Sequence, residues 1–198
     1  MQEEKARGEE VEDIDAEDEG MDLEAEEDEE ETEDEETAEA DVNLFEALKS
    51  DHRQVQELFT KFQDADKRGR TEIAEETLTA LEVHTTLEEE LVYPAIADVI
   101  EDEDLVDEAK EEHHVAKLLI KELRKMDAAA DEFAVKFKVL GEIVGHHIEE
   151  EEAELFPQAQ EGELETEELS QEVMERKEKL MRKYEGKKAS GAKRKKAA

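Results

Sequence analysis

One stretch of the chain decides the fold, and it reads His84-Thr85-Thr86-Leu87-Glu88-Glu89-Glu90-Leu91-Val92-Tyr93-Pro94. The chain repeats the pattern once, as His147-Ile148-Glu149-Glu150-Glu151-Glu152-Ala153-Glu154-Leu155-Phe156-Pro157. In each copy a glutamate stands four residues after the histidine, and an aromatic residue and a proline stand nine and ten after it. Four residues make about one helical turn, so the imidazole and the carboxylate share one helix face. Two such helices predict a metal site for two ions.

Apolar residues recur at alternating steps of three and four, which predicts an all-α fold. Helices are expected over residues 43–66, 71–98, 104–126, 131–160 and 161–185, with a short turn at residues 67–70. Asn43 is the expected N-cap of the first helix and Asp131 that of the fourth. Leu91 and Ala95 are expected to point inward on the second helix.

His52 lies on the seam of the first helix and His113 on that of the third. The spacing from His52 to His84 is 32 residues and that from His113 to His147 is 34, so the chain consists of two similar helical hairpins. The expected architecture is an up-down four-helix bundle.

The positions of the four histidines along their helices place them at one height in the bundle. Each lies about 13 to 16 residues from the turn of its hairpin, a mismatch within one helical turn. A lone histidine in a seam is more often a hydrogen-bonded core residue than a ligand. Carboxylates in the seams are harder to explain without a metal, because buried carboxylates need partners and no Lys or Arg lies near them on their own helices. The sequence therefore predicts six metal ligands: His52, His84, Glu88, His113, His147 and Glu151.

This set of ligands favours iron, manganese or zinc, since imidazole and carboxylate groups suit those ions. The chain has no cysteine to supply a thiolate. Six ligands are too many for one tetrahedral zinc and suit two six-coordinate ions that share carboxylates. The candidates for a dry wall around the site are Phe59, Ile120, Phe137 and Val144. A loosened helical turn is expected at Pro94 and at Pro157, because proline removes a backbone hydrogen bond.

With these motifs the chain resembles the hemerythrin-like family, the HHE cation-binding domains, over about residues 43–160. The resemblance rests on Asp51-His52, His84-x3-Glu88-Glu89 before Tyr93-Pro94, Glu112-His113, and His147-x3-Glu151-Glu152 before Phe156-Pro157. It implies that the four histidines bind two iron ions and that Glu88 and Glu151 bridge them with an oxo or hydroxo group. The family's oxygen carriers place a bridging acid five residues after the last histidine, where this chain has Glu152. Glu151 and Glu152 therefore stay open as alternatives.

Lys117 stands where the family's oxygen carriers have a further histidine. The resemblance therefore implies a sensing or stress-related protein that binds or reacts with dioxygen, nitric oxide or peroxide, rather than simple oxygen storage. Any enzymatic activity would be a weak di-iron oxidoreductase or peroxidase-like one. The alternative is a non-catalytic metal-binding or iron-handling protein whose charged tails select its partner.

Charge divides the chain, whose net charge is −38. Residues 1–41 carry 24 acidic and two basic side chains, and residues 176–198 carry 11 basic and two acidic ones. The first segment has too few apolar residues to fold, so we expect a disordered acidic arm that suits a basic protein partner. Residues 42–160 are expected to form the bundle, and residues 161–198 a C-terminal helix with a disordered basic tail from Lys187 onward.

Other partners and compartments follow from what the chain lacks. A strongly acidic protein has little affinity for nucleic acid, so nucleic acid is an unlikely partner. The sequence contains neither a secretory signal nor an apolar run long enough to span a bilayer, so no membrane association is expected. Together with the absence of cysteine, these features predict a cytoplasmic protein.

Overall fold

The computed structural model describes residues 43–196, with side chains described for residues 43–186 apart from Glu103. The predicted acidic arm over residues 1–41 lies outside the described residues. Every regular element in the described range is helical, which confirms the predicted all-α fold. No helix in that range is both long enough and apolar enough to cross a membrane. The elements are α1 (Leu44–Asp64), α2 (Lys67–Leu87), π1 (Glu88–Val92), α3 (Tyr93–Ala97), α4 (Glu103–Leu123), α5 (Asp131–Glu150), π2 (Glu151–Leu155), α6 (Phe156–Glu161) and α7 (Glu167–Lys196).

Four rods form the bundle, because π1 and π2 join their neighbouring α-helices without a break. The rods are α1, α2–π1–α3, α4 and α5–π2–α6. The first hairpin pairs α1 with α2, and the second pairs α4 with α5. Contacts of α1 with α5 and of α2 with α4 close the bundle. Each hairpin therefore faces the other across a common core.

Helix caps explain where the rods begin. Asn43 caps α1 as predicted, with Oδ1 accepting the backbone N–H groups of Phe45 at 3.1 Å and Glu46 at 3.3 Å. Asp66 caps α2 through the N–H of Gly69 at 2.8 Å. Residues 67–70, predicted as a turn, are therefore the first turn of α2. The N-cap of α5 is Ala130, with no side-chain bond, so the prediction that Asp131 caps this helix is wrong.

The two π-helical turns change which residues face the core. In π1 the N–H of Tyr93 bonds to the carbonyl of Glu88, five residues earlier, and in π2 the N–H of Phe156 bonds to Glu151 in the same way. This is the loosened turn predicted before each proline. The widened turn places residues five apart on one face, so Tyr93 and Phe156 lie buried beneath the two glutamates.

The same widened turn corrects part of the predicted seam. Leu91 and Ala95 were expected to point inward, because the seam was assigned with α-helical spacing throughout this segment. They are only partly buried, whereas Val92 and Ile96 are fully buried. A π turn holds about one residue more than an α turn. The inward face of the helix after the turn is therefore shifted by about one residue.

A polar layer of histidines and glutamates separates two apolar clusters. The cluster at the α1–α2 turn is built around the aromatic rings of Phe62, Phe133 and Phe137. The other contains Tyr93 and Phe156 from the π-turn end, with residues of α7 packed on its outside. Apolar packing on both sides fixes the height of the polar layer in the bundle.

Helix α7 lies outside the four rods, against α1, α2 and π1. Val173 and Leu180 are its buried apolar contacts, consistent with the thin stripe in the sequence. Two ion pairs hold it, from Arg176 to Glu90 and from Lys177 to Asp51. The helix continues to Lys196, beyond residue 185, where the sequence predicts its end. Alanine, lysine and arginine are strong helix formers and no proline interrupts them, which accounts for the longer helix.

Two glycines of α5 offer a matched test of this packing. A Cβ at Gly141 would lie 3.0 Å from Cδ1 of Phe59, whereas a Cβ at Gly145 would meet nothing within 4 Å. Gly145→Ala is expected to raise the free energy of unfolding by about 0.5–1 kcal/mol through helix propensity. Gly141→Ala should forfeit that gain, because the ring of Phe59 must shift. Urea unfolding of both variants measures the difference, and equal stabilisation would contradict the close approach.

Candidate metal centre

Four buried imidazoles meet in the middle of the bundle, as the sequence predicts. Their exposed fractions are 2% for His52 and His113 and 5% for His84 and His147. The Nε2 atoms of His52 and His84 lie 3.0 Å apart, and those of His113 and His147 lie 2.9 Å apart. Each hairpin therefore contributes one close pair of imidazole nitrogens.

Two buried carboxylates connect these pairs. Glu88 is fully buried, and its Oε2 lies 3.0 Å from Nε2 of His84 and 3.5 Å from Nε2 of His113. Glu151 is 1% exposed, and its Oε2 lies 3.3 Å from Nε2 of both His52 and His147. Each carboxylate thus reaches one imidazole from each hairpin. All six residues predicted from the sequence converge at one place.

The second glutamate of each repeated motif has a different position from the first. Glu152 accepts a hydrogen bond from Nδ1 of His52 at 2.7 Å, and Glu89 accepts one from Nδ1 of His113 at 3.2 Å. The carboxylate of Glu151 therefore lies at the centre, whereas that of Glu152 accepts a hydrogen bond from the outer ring nitrogen of His52. The sequence left Glu151 and Glu152 as alternatives. The doubled glutamate in both motifs was the signal for two distinct positions.

Two further contacts could not be assigned from the sequence. Glu112 accepts a hydrogen bond from Nδ1 of His147 at 2.8 Å. The hydroxyl of Tyr93 donates to Oε1 of Glu151 at 2.7 Å, so this tyrosine has a polar contact as well as its packing position. Lys117 contacts Glu89 rather than the centre, so it supports the carboxylate that holds His113.

The free electron pairs of the centre fit bound metal ions. A neutral imidazole that donates through Nδ1 has an unprotonated Nε2, which is the form that binds metals. In the second hairpin the Nε2 atoms of the two imidazoles face each other at 2.9 Å. Two nitrogens bound at right angles to one ion, at about 2.1 Å each, lie about 3.0 Å apart. Both oxygens of Glu88 and Oε2 of Glu151 are buried and receive no hydrogen bond from the described residues.

Potential ligand atoms of the buried centre fall into two groups that share a carboxylate. One contains His52, His84, Glu88 and Glu151, and the other contains Glu88, His113 and His147. A model of the hemerythrin HHE cation-binding domain matches residues 43–159. The chain belongs to the hemerythrin HHE cation-binding family.

One solved structure and one protein of known name are similar to this chain. A crystal structure of an HHE cation-binding domain protein from Mycobacterium kansasii has a TM-score of 0.60 and 25% identity to this HHE domain, covering 70% of this chain and 87% of that one. A Nostoc protein named DNA nickase is 29% identical over 117 residues, which is 59% of this chain. The match spans only 33% of the Nostoc protein. The fold and cation binding are therefore properties of the family to which this chain belongs.

A small cavity adjoins the imidazole layer of the HHE domain. Its volume is about 20 Å³, enough for one water-sized molecule. Four of the apolar residues that line it each lie three positions from one of the histidines, on the side of the α1–α2 turn. Those four residues are Val55, Leu81, Ala116 and Val144. Of the dry wall expected from the sequence only Val144 lines the cavity, because Phe59 and Phe137 pack against each other further from the centre.

Burial and neighbouring charge set the pKa values of the metal-free site. Burial and the facing His147 together lower the pKa of His113 to about 2. Burial would also lower the pKa of His147, but its contacts with Glu112 and Glu151 outweigh this and raise it to about 10. Burial acts to raise the pKa of Glu151, but the contacts with His147 and His52 hold it well below the usual range. One imidazole of the facing pair is thus neutral and the other protonated.

The free energy of unfolding of the metal-free chain is expected to peak near pH 6.5, the ordinary pKa of histidine. As the pH falls below this value the unfolded chain protonates His113 and the folded chain does not, so stability drops by about 1.4 kcal/mol per pH unit. As the pH rises toward 10 the folded chain keeps the proton on His147 that the unfolded chain loses, so stability drops again. Urea unfolding across this range tests the peak. His147→Gln should reduce the decline on the alkaline side most, and a flat wild-type profile would contradict the prediction.

Proposed function

We propose that this HHE domain binds two metal ions, iron by preference, and uses them to bind or react with dioxygen, nitric oxide or peroxide. The observation that supports this most directly is the apolar cavity of about 20 Å³ beside two imidazole pairs. A cavity of that size has room for about one molecule the size of water, so it favours the smallest ligands over larger substrates. The sensing or stress-related role is part of the same proposal.

The ligand assignment follows the two groups of donor atoms. His52 and His84 would hold one ion, and His113 and His147 the other. Glu88 belongs to both groups, and Glu151 lies 3.3 Å from an imidazole of each pair, so we assign both as bridging carboxylates. Mixed imidazole and carboxylate ligands without thiolate favour iron, with manganese or zinc as the nearest competitors. Two bound ferrous ions would supply electrons and a coordination position for the small molecule.

The surrounding residues keep this arrangement in place. Glu89, Glu112 and Glu152 each hold an imidazole by its Nδ1, which orients the Nε2 electron pair toward the centre. The Tyr93 hydroxyl fixes one oxygen of Glu151 and leaves the other free. Val55 and Ala116 exclude bulk water from the side on which the small molecule would bind.

The name of the Nostoc relative raises a second reaction, cleavage of one strand of DNA. The six proposed ligands are at most 5% exposed, and the described cavities that they line have volumes of about 20 Å³ each. A phosphodiester bond in DNA would have to come within bonding distance of a buried ion. The burial therefore favours a diffusible small molecule as the substrate.

Anaerobic loading of the metal-free protein with Fe²⁺ tests the proposal. Two irons per chain are expected, with near-ultraviolet absorption that develops on addition of dioxygen or peroxide. Full iron occupancy with no optical response would support a non-catalytic iron-handling protein instead. Absence of bound iron, or nicking of supercoiled plasmid at the rate of the optical change, would overturn the proposal.

A cavity-filling variant makes the test specific to the small-molecule site. Ala116→Val adds two carbons to the lining of the cavity, so it should retain two irons and slow the optical response at least about tenfold, equivalent to 1.4 kcal/mol. Ala74→Val is the control, because Ala74 is buried in the apolar cluster at the α1–α2 turn and does not line this cavity. Equal rates in the two variants would show that the cavity is not where the molecule reacts.

A further inference from the structure

The four imidazoles differ in whether a carboxylate accepts a hydrogen bond from Nδ1. Three of them donate through Nδ1 to a glutamate: His52 to Glu152, His113 to Glu89 and His147 to Glu112. Nδ1 of His84 is buried, and among the described residues no group forms a hydrogen bond with it. A buried ring nitrogen without a hydrogen-bond partner is uncommon in a folded protein, and this one belongs to a residue in the proposed ligand set.

The internal repeat shows which side chain would be the partner of His84. Glu112 precedes His113 in α4 and bonds to His147 on the other rod of its hairpin. Asp51 precedes His52 in α1 in the same way, and His84 is the residue equivalent to His147. By this equivalence Asp51 is the acceptor that His84 lacks.

Helix α7 holds Asp51 in another position. Nζ of Lys177 lies 2.5 Å from Oδ1 and 2.6 Å from Oδ2 of Asp51. The ion pair is partly shielded from solvent, since 17% of the Asp51 side chain and 40% of the Lys177 side chain are exposed. Helix α7 has no counterpart on the second hairpin among the described elements, so Glu112 meets no such lysine.

We propose that the two metal positions are unequal and that Lys177 sets the difference, an inference that rests on the proposed two-ion site. A carboxylate on Nδ1 makes an imidazole a stronger donor, and loss of such a partner typically lowers metal affinity 10- to 100-fold. The position between His113 and His147 has two such imidazoles and fills first. The position between His52 and His84 has one and fills second. Lys177 is thus a positioning residue, which acts on the ion through Asp51 and His84.

Titration of the metal-free full chain with Fe²⁺ under anaerobic conditions, followed by calorimetry and native mass spectrometry, measures the two steps. The wild-type chain should show a one-ion species, with step affinities that differ by about tenfold or more. Glu112→Gln should weaken the first step, because it removes the anionic acceptor from His147. That result assigns the tighter step to the second hairpin. A first step unchanged by Glu112→Gln would contradict the assignment.

Lys177→Met is the decisive variant. It should strengthen the second step about tenfold, because Asp51 becomes free to accept from Nδ1 of His84. Arg176→Met is the matched control: it also removes a positive charge and an ion pair that ties α7 to the bundle, but its partner Glu90 makes no contact with an imidazole. The second step should be unchanged in this control.

The outcomes separate this inference from the proposed function. Two ions bound with a single affinity, or equal effects of Lys177→Met and Arg176→Met, would overturn the inference and leave the two-ion site standing. A chain that binds no iron would overturn both. Step affinities rather than activity are the readout, so the result does not depend on which small molecule reacts.

Discussion

Replacement of Glu88 by glutamine is expected to abolish binding of both metal ions and to stabilise the metal-free chain. Glu88 lies in both groups of potential ligands, so its loss affects both positions. It is fully buried and neither of its oxygens receives a hydrogen bond from the described residues. A buried charge in that state costs several kcal/mol, and a neutral amide of the same shape removes most of the penalty. The expected gain in the free energy of unfolding is about 1–3 kcal/mol.

The metal content of the purified variant and urea unfolding of its metal-free form measure the two effects. Glu90→Gln is the control, because Glu90 lies in the same π turn with 46% of its side chain exposed and pairs with Arg176. It should bind two ions and change stability by less than about 1 kcal/mol. Retention of both ions by Glu88→Gln would remove Glu88 from the ligand set. A less stable metal-free variant would show that the carboxylate is well paired without metal.

Removal of metal from the loaded wild-type chain is expected to lower its thermal stability by a large amount. Ions that bind only the folded state stabilise it by about 4 kcal/mol when the free ion is at 1,000 times its dissociation constant. For a chain of this size that corresponds to a fall in Tm on the order of 10 °C on chelation. The physical reason is that the ions neutralise Glu88 and Glu151 and bind the imidazole nitrogens that otherwise face each other at 2.9 and 3.0 Å.

Differential scanning calorimetry with and without a chelator measures this change. The Glu88→Gln variant supplies the control, since a chain that binds no ions should have the same Tm in both conditions. A wild-type Tm that does not respond to chelation would mean that the folded chain gains nothing from metal. An equal fall in the variant would mean that the chelator acts on the protein elsewhere.

Much of the bundle could be predicted from the sequence, because the relevant signals are local. Steps of three and four apolar residues fix a helical face, and a histidine with a glutamate four residues later fixes two donors on that face. Repetition of the motif places two such faces in one core. The N-cap at Asn43 is such a local feature, because its side chain accepts hydrogen bonds from the backbone N–H groups two and three residues later.

One error concerns which residues of the second rod face the core. The seam after Glu88 was predicted with α-helical spacing, and the π turn moves Val92 and Ile96 into the core instead of Leu91 and Ala95. Propensity does not distinguish a π turn from an α turn before a proline. The choice depends on whether Tyr93 gains a buried position and a hydrogen bond to Glu151 on the opposite rod.

The sequence by itself determined the helices, their inward faces and the six side chains that meet in the core, because each depends on residues within a few positions of one another. Only the tertiary structure decided the partners of those side chains. Glu152 reaches His52 across 100 residues of sequence, and Lys177 reaches Asp51 across 126. The packing of separate rods brings such pairs together, and no periodicity in a single rod records which carboxylate will face which imidazole. The repeat predicted two similar hairpins, whereas in the structure α7 packs against the first of them and Lys177 contacts Asp51 there.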